Sequence, residues 1–161
     1  MKKITFVLFA LIAGTTFAQN SATGSATVNA EIVNPIKITS AGVLDFGRIA
    51  STTTAGDVIV TPANARTIPS DMVVPGNTVT TVPTFTVTKE TGITYGVVTA
   101  SETLKLADSE ATIAIKDIKT SLEADSGQTA ETFTVGGTLV IGAEQPVGEY
   151  LGKVSVTVSY E

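Results

Sequence analysis

The last fourteen residues of the chain alternate between two kinds of side chain. Every second residue is apolar, aromatic or glycine, and these are Gly148, Tyr150, Gly152, Val154, Val156, Val158 and Tyr160. The residues between them are polar, with the one exception of Leu151. A period of two places alternate side chains on opposite faces of an extended chain. The pattern predicts a half-buried β-strand, and the edge of this strand is a candidate surface for pairing with another strand.

A second alternating segment runs from Asn20 to Ile32 near the other end of the chain. Its small or apolar positions are Ala22, Gly24, Ala26, Val28, Ala30 and Ile32, and polar residues lie between them. The segment is longer than a usual strand of about 5–6 residues. Two interpretations are open: it is the protein's own first strand, which we favour at this point, or it is a strand donated to another molecule.

The first eighteen residues have the layout of a secretory signal peptide. A basic start, Met1-Lys2-Lys3, precedes an uncharged apolar run over 4–13, and small residues follow up to Ala18. The apolar run is shorter than the roughly 20 residues that span a bilayer. We therefore expect a signal peptide over 1–18 and a single domain over 19–161, without a transmembrane segment after cleavage. The protein is expected to be exported to the periplasm, the cell surface or the medium.

The composition argues against most catalytic and nucleic-acid-binding functions. The chain has no His and no Cys, so the usual general base, thiol nucleophile and zinc ligands are missing. Its formal charge of −5 offers no basic footprint for nucleic acid. We expect a protein that is not an enzyme and has no cofactor or metal. The only arginines, Arg48 and Arg66, are expected to make structural contacts with carboxylates or backbone carbonyls.

Between the two alternating segments the sequence predicts short strands separated by turns. Examples are the runs around Val58, Phe85 and Ile113, each bounded by Gly, Pro or polar clusters. Gly136-Gly137 is interpreted as a turn between two strands. About eight to ten strands with little helix predict an all-β sandwich or barrel.

The alternating positions Ala26, Val28 and Ala30 and four further motifs carry a resemblance to a known family. The four motifs are Pro35-Ile36-Lys37-Ile38, Leu44-Asp45-Phe46-Gly47, Val135-Gly136-Gly137-Thr138-Leu139 and the closing run from Gly148 to Tyr160. Over about 25–161 the chain resembles the secreted bacterial family called domain of unknown function 4402. More distantly it resembles spore coat protein U and archaic chaperone–usher pilin subunits, although coat-U-type subunits usually contain Cys. The resemblance implies an immunoglobulin-like, pilin-like β-sandwich.

The pilin resemblance also implies partners for the last strand. In pilins, a Gly and a penultimate Tyr flank a strand that pairs first with a periplasmic chaperone and then with a neighbouring subunit. Gly148 and Tyr160 occupy these places here. One hypothesis is therefore a surface structural subunit that assembles with like subunits by β-strand addition. The alternative is a self-complete sandwich that binds a glycan or a protein on loops 51–56, 62–77 or 120–130.

Overall fold

The computed structural model describes residues 21–161, and the predicted signal peptide lies outside this range. The chain divides into two units, Met1–Ile32 and Val33–Glu161. Of the first unit, residues 21–32 are described: they form no regular secondary structure, and all their side chains are exposed. Among the described residues there is no helix long and apolar enough to cross a membrane.

The second unit is built from strands alone, which confirms the all-β prediction; residues 21–161 contain no helix. Its ten strands are β1 Lys37–Ala41, β2 Gly56–Val60, β3 Arg66–Thr67, β4 Thr84–Thr88, β5 Tyr95–Ser101, β6 Leu104–Leu106, β7 Thr112–Thr120, β8 Thr132–Ile141, β9 Tyr150–Leu151 and β10 Val154–Tyr160.

The strands form one large and one small sheet. The large sheet has the order β1-β4-β8-β7-β6-β9, and β2 joins it by pairing with both β8 and β3. The small sheet consists of β5 and β10, which pair antiparallel along their whole length, from Val154 opposite Ser101 to Tyr160 opposite Tyr95. All strand pairs of the large sheet are antiparallel as well.

Strand β8 corrects the prediction of a turn at Gly136-Gly137, because it continues through both glycines. Its first residues pair with β4 and the residues from Gly137 onward pair with β2. At the change of partner, a Cβ on Gly136 would lie 2.2 Å from the Val60 carbonyl oxygen. The glycine therefore permits a close approach of two backbones, which is the other common reason for glycine inside a strand.

The buried side chains form two clusters. The first contains Val58 and Val60 of β2 with Leu139 and Ile141 of β8, and Phe46 and Ile113 pack against them. The second lies between the two sheets, where Tyr95 and Val97 of β5 meet Phe85, Phe133 and Val135. The alternate residues Val154, Val156 and Val158 of β10 are half-buried against this second cluster. The sequence alternation of the last strand thus corresponds to a core face and a solvent face.

The alternating segment before Ile32 is not a strand of the folded unit. Val28 and Ile32 are 89% and 98% exposed, and the first strand begins at Lys37. Our favoured interpretation, that this segment is the protein's own first strand, predicts strand pairing, and residues 21–32 have none. A single strand without a partner leaves its backbone N–H and C=O groups without hydrogen bonds within the protein, and neither of its faces is buried.

Candidate functional site

A long apolar groove opens on the second unit between two extended segments. We call Ser40–Ser51 the first rim and Gln145–Val154 the second rim; together they border a cavity of about 1110 Å³. The floor is apolar and is formed by Phe46, Phe85, Ile113, Leu139 and Ile141, all of them buried residues of the core. The groove is therefore bordered by two extended segments, and its floor belongs to the hydrophobic core.

Strand β1, which leads into the first rim, uses only one of its two backbone edges. In β1, Lys37, Thr39 and Ala41 lie opposite Thr88, Thr86 and Thr84 of β4. The N–H of Val87 points the other way, to the carbonyl of Glu131. Because hydrogen bonding alternates along an antiparallel pair, Ile38 and Ser40 direct their N–H and C=O groups away from β4.

The same one-sided pairing continues along this rim beyond β1. Asp45 exchanges two backbone hydrogen bonds with Thr81, and the N–H of Ala50 bonds the carbonyl of Val73 at 2.9 Å. Arg66 donates from Nη1 to the carbonyl of Phe46 at 3.0 Å, the kind of structural contact expected of it from the sequence. No strand within residues 21–161 pairs with the groove-facing edge of this rim.

The second rim and β10 likewise have one paired edge. The carbonyl of Lys153 accepts from the N–H of Glu102, and the N–H of Glu161 donates to Thr94. The odd-numbered residues of β10 therefore bond β5. By the alternation of the ladder, Val154, Val156 and Val158 direct their backbone groups to the opposite edge. In the described part of the chain no strand pairs with that edge.

Two sets of contacts fix the ends of the groove and show that the rims run antiparallel. Toward one end, the hydroxyl of Tyr160 donates to the carbonyl of Asn34 at 2.8 Å and accepts from the N–H of Glu90 at 2.7 Å. At the other end, Ser51 Oγ donates to the carbonyl of Gln145 at 2.8 Å. Any strand lying between the rims would therefore be parallel to one of them and antiparallel to the other.

The Glu90 carboxylate strengthens the contact at the Tyr160 end. It accepts hydrogen bonds from the side chain of Asn34 at 2.7 Å and from its backbone N–H at 3.3 Å. These bonds lower the pKa of Glu90, since they favour the ionised carboxylate. Asn34 is thus held from two sides at the place where the chain enters the folded unit.

Tyr150 holds the second rim in position at the Gln145 end. Its hydroxyl donates to the carbonyl of Pro146 at 2.8 Å and accepts from Gln145 Nε2 at 2.8 Å. Gln145 Nε2 also donates to the carbonyl of Thr112 on β7 at 3.2 Å. These bonds tie the loop after β8 to the body of the sheet, so the rim is a defined structure before anything occupies the groove.

Glycines bring the second rim close to β6. Gly148 has φ +147°, a region that side chains rarely adopt, and a Cβ there would lie 2.4 Å from Leu106 Cδ1. A Cβ on Gly152 would lie 3.1 Å from the Cα of Leu104. The spacing Gly-x-Tyr-x-Gly thus combines two close backbone approaches with one hydrogen-bonding aromatic residue.

Exposed apolar side chains lie along both rims. Val43 of the first rim is 65% exposed, and Val147 and Leu151 of the second are 84% and 63% exposed. Leu151 is the one apolar residue among the polar positions of the closing segment, and it lies beside the groove. Exposed apolar side chains beside an apolar floor are typical of a surface that binds another chain.

The structure brings the predicted residues of the closing segment together along one border. Gly148, Tyr150, Gly152 and Val154 line the groove, whereas Val156, Val158 and Tyr160 lie beyond it, where β1 approaches β10. The candidate donor residues Ala22 to Ile32 belong to the other unit. Sequence reasoning missed the first rim, Ser40–Ser51, as part of a site; its available signal was the irregular run of Gly42, Leu44, Phe46 and Gly47, which cannot sustain a regular strand.

A smaller polar depression lies on the loops that the alternative hypothesis singled out. It has a volume of about 670 Å³ and is lined by Ser51, Thr52, Thr53, Thr54, Asp71 and Glu144. Thr54 donates to the Asp71 carboxylate at 2.7 Å, and this bond lowers the pKa of Asp71. Among residues 21–161 no group of three His, Cys, Asp or Glu residues is placed to hold a metal ion.

Comparison with known families gives one match. The model of a family described as Domain of unknown function (DUF4402) matches residues 36–160, which includes both rims, the floor and all of β10. No curated protein and no solved structure matches the chain. The match begins just after the exposed segment 21–32.

Proposed function

Because the chain belongs to the DUF4402 family, whose function is unknown, we propose from the geometry of the groove that it is a non-catalytic structural subunit that assembles by β-strand addition. The observation that carries this proposal is the pair of facing backbone edges, one on each rim, above an apolar floor. A strand between them would bond both edges and pack against the exposed apolar side chains of the rims.

A strand fits the groove better than a small molecule does. A small-molecule site combines an enclosed cavity with a few converging polar side chains. Here the floor side chains are hydrocarbon, and each rim carries a backbone edge with which no strand of residues 21–161 pairs. Repeating backbone groups select another backbone, and alternate side chains of that backbone would enter the groove.

The chain itself contains a segment with the required chemistry. Residues 21–32 are exposed, contain no charged residue except Glu31, and alternate between polar and small or apolar residues. Placed between the rims, one face of such a segment would cover the floor and the other would face solvent. We propose that the partner is a second copy of the protein and that the subunit works after export, at the cell surface or in the periplasm.

A pair of charge substitutions tests assembly. We expect Val28→Asp to abolish assembly, because it places a carboxylate on the face that enters the groove. Asn29→Asp adds the same charge one residue away, on the opposite face, and should leave assembly nearly intact. Both side chains are exposed, so neither substitution should destabilise the folded unit. The measurement is the mass distribution of the purified protein by light scattering after size-exclusion chromatography.

A second pair of variants probes the groove itself. Val43→Lys places a charge on the first rim, and Val98→Lys places it on the outer face of β5; the two valines are similarly exposed, at 65% and 67%. Only Val43→Lys should reduce the mass of the assembly. A wild-type protein that is monomeric at high concentration and does not bind a synthetic peptide of residues 21–32 would refute strand addition. A glycan or protein ligand retained by that monomer would then favour the self-complete alternative.

A further inference from the structure

The groove and the segment 21–32 that would fill it belong to the same chain. When a ligand is joined to its own binding site by a short flexible linker, its effective concentration at the site is about a millimolar. A chain of this kind therefore closes on itself before it meets a second copy, unless its geometry forbids the closure. Residues 21–32 are nevertheless exposed, and they pair with no strand.

We propose that the junction Val33–Pro35 keeps the segment 21–32 out of the groove of its own copy, so that the groove is left to a second copy. This inference rests on the proposed function and adds to it the regulation of the same site. Two features of the junction support it: the restriction that Pro35 imposes on the backbone, and the hydrogen bonds that Asn34 makes.

To occupy its own groove, the segment 21–32 would have to fold back beside β1 as a hairpin, because Ile38 directs its backbone groups toward the groove. The apolar residues of the segment and the core-facing residues of β1, with Ile36 before it, all have even numbers. Opposed residues of two strands share a face, so only a loop with an odd number of residues keeps the apolar residues together. A two-residue loop of Asn34-Pro35 would instead place Glu31 opposite Ile38 on the core face.

The junction offers no suitable three-residue loop. Such a hairpin loop classically ends on a residue in the left-handed conformation, usually glycine. The loops 32–34, 33–35 and 34–36 would end on Asn34, Pro35 and Ile36. Pro35 is fixed at a φ of about −65° and has no N–H, and the residue before a proline is restricted to extended conformations. A branched residue such as Ile36 is strained at positive φ.

Hydrogen bonds fasten the junction at the end of the groove where the segment would enter; we call Asn34, Glu90 and Tyr160 the clasp. The carbonyl of Asn34 accepts from the Tyr160 hydroxyl at 2.8 Å, and its backbone N–H and Nδ2 donate to the Glu90 carboxylate at 3.3 and 2.7 Å. A five-residue loop at this point would include Asn34 and so draw it out of the clasp. The hairpin would also have to place residues 29–32 between β1 and β10, which contact each other, so its formation requires the clasp to open.

The experiment compares the double variant Pro35→Gly with Tyr160→Phe against Tyr160→Phe alone. Glycine supplies both the left-handed residue and the N–H that the loop 33–35 needs. Loss of the Tyr160 hydroxyl removes its two hydrogen bonds in the clasp. We expect the double variant to be monomeric by light scattering where Tyr160→Phe assembles. It should also bind a synthetic peptide of residues 21–32 at least about tenfold more weakly, because its own segment competes for the groove.

Hydrogen exchange of the monomeric fractions reports where the segment lies. The backbone amides of residues 22–32 should exchange about tenfold or more slowly in the double variant than in Tyr160→Phe. Adding Val28→Asp to the double variant should abolish this protection, because it places a carboxylate on the face that enters the groove. Adding Asn29→Asp, with the same charge on the opposite face, should leave the protection in place. Damage to the fold would not distinguish the two faces.

The outcomes separate this inference from the proposed function. If the wild type assembles and the double variant assembles equally, or is monomeric with an unprotected segment, the junction does not exclude the segment and this inference is overturned while strand addition stands. A protected segment in monomeric Tyr160→Phe would overturn the part assigned to Pro35, and a protected segment in monomeric Pro35→Gly would overturn the part assigned to the clasp. A monomeric wild type without affinity for the peptide would overturn strand addition itself.

Discussion

The close approach of β2 and β8 at Gly136 gives the sharpest prediction about stability. A Cβ at this position would lie 2.2 Å from the Val60 carbonyl oxygen, 2.6 Å from the Thr61 carbonyl carbon and 2.7 Å from the Pro62 nitrogen. All three atoms belong to the backbone, so no side-chain rotation can relieve the overlap. Gly136→Ala must therefore move β2 away from β8 by about 1 Å to restore ordinary contact distances.

The cost follows from what that movement disrupts. Overpacking of a close-packed interior costs about 1–3 kcal/mol. The displaced strand carries Val58 and Val60, both fully buried, and the pairing of Val60 with Gly137. Weakening one buried backbone hydrogen bond adds about 1–3 kcal/mol. The higher intrinsic preference of alanine over glycine in a strand returns about 0.5–1 kcal/mol. We expect a net loss of about 3 kcal/mol, which is a large share of the roughly 5–15 kcal/mol that stabilises a typical domain.

Gly137→Ala is the matched control. It is adjacent and on the same strand, but its nearest obstacle is Ile118 Cδ1 at 2.8 Å, the end of a side chain that can rotate. We expect a loss of about 1 kcal/mol or less from this variant. Urea unfolding should therefore give midpoints that differ clearly, and the melting temperatures should differ by about 8 °C. If Gly136→Ala costs no more than Gly137→Ala, β8 does not change partners at this glycine and the register we describe is refuted.

Three further predictions concern the rim and the entry of the chain. Gly148→Ala should cost about 1–3 kcal/mol, because alanine is strained at φ +147° and its Cβ meets Leu106; an unchanged unfolding midpoint would contradict that backbone conformation. Tyr160→Phe should cost about 0.5–1.5 kcal/mol in the same assay, since it removes the hydrogen bonds to the N–H of Glu90 and to the carbonyl of Asn34; an unchanged unfolding midpoint would show that the two bonds are not formed. The pKa of Glu90 is lowered in the folded state, so the stabilisation by its carboxylate is present above the ordinary pKa of 4.5 and is lost as the pH falls through the folded pKa. The difference in melting temperature between wild type and Glu90→Gln should therefore shrink from about pH 7 to about pH 3. A constant difference would contradict the hydrogen bond to Asn34.

The sequence predicted the fold class because alternation is a local property. The valines of β10 fall on the core face as their period requires, and the turn residues separate strands where the structure has them. Gly136 was misinterpreted because glycine serves turns and close backbone approaches alike. The two cases differ only in what lies opposite, and the chain that lies opposite, Val60 to Pro62, is remote in the sequence.

The groove was only half predictable, for a related reason. The second rim carries a regular pattern from Gly148 to Val154, whereas the first rim is irregular and holds its place through contacts with distant residues. Asp45 bonds Thr81, and the carbonyl of Phe46 accepts from Arg66. A groove between two rims is a place where strands do not pair, and the sequence has no local pattern that predicts missing pairing.

The exposed segment 21–32 and the groove each have a feature that is unusual in a stable β-protein, and pairing between the two would explain both. A soluble sandwich normally protects its edges, because an unpaired edge beside apolar side chains invites aggregation. Here two edges face each other unpaired within residues 21–161, and Val43, Val147 and Leu151 stand exposed around them. Residues 21–32 show the reverse departure: they carry the alternation of a half-buried strand and have nothing to be buried against. Each feature taken alone would be a defect in folding. In the proposed assembly, the segment of one copy would pair with the backbone edges of the other and bury its apolar face there, which is the reason for preferring strand addition over a self-complete sandwich.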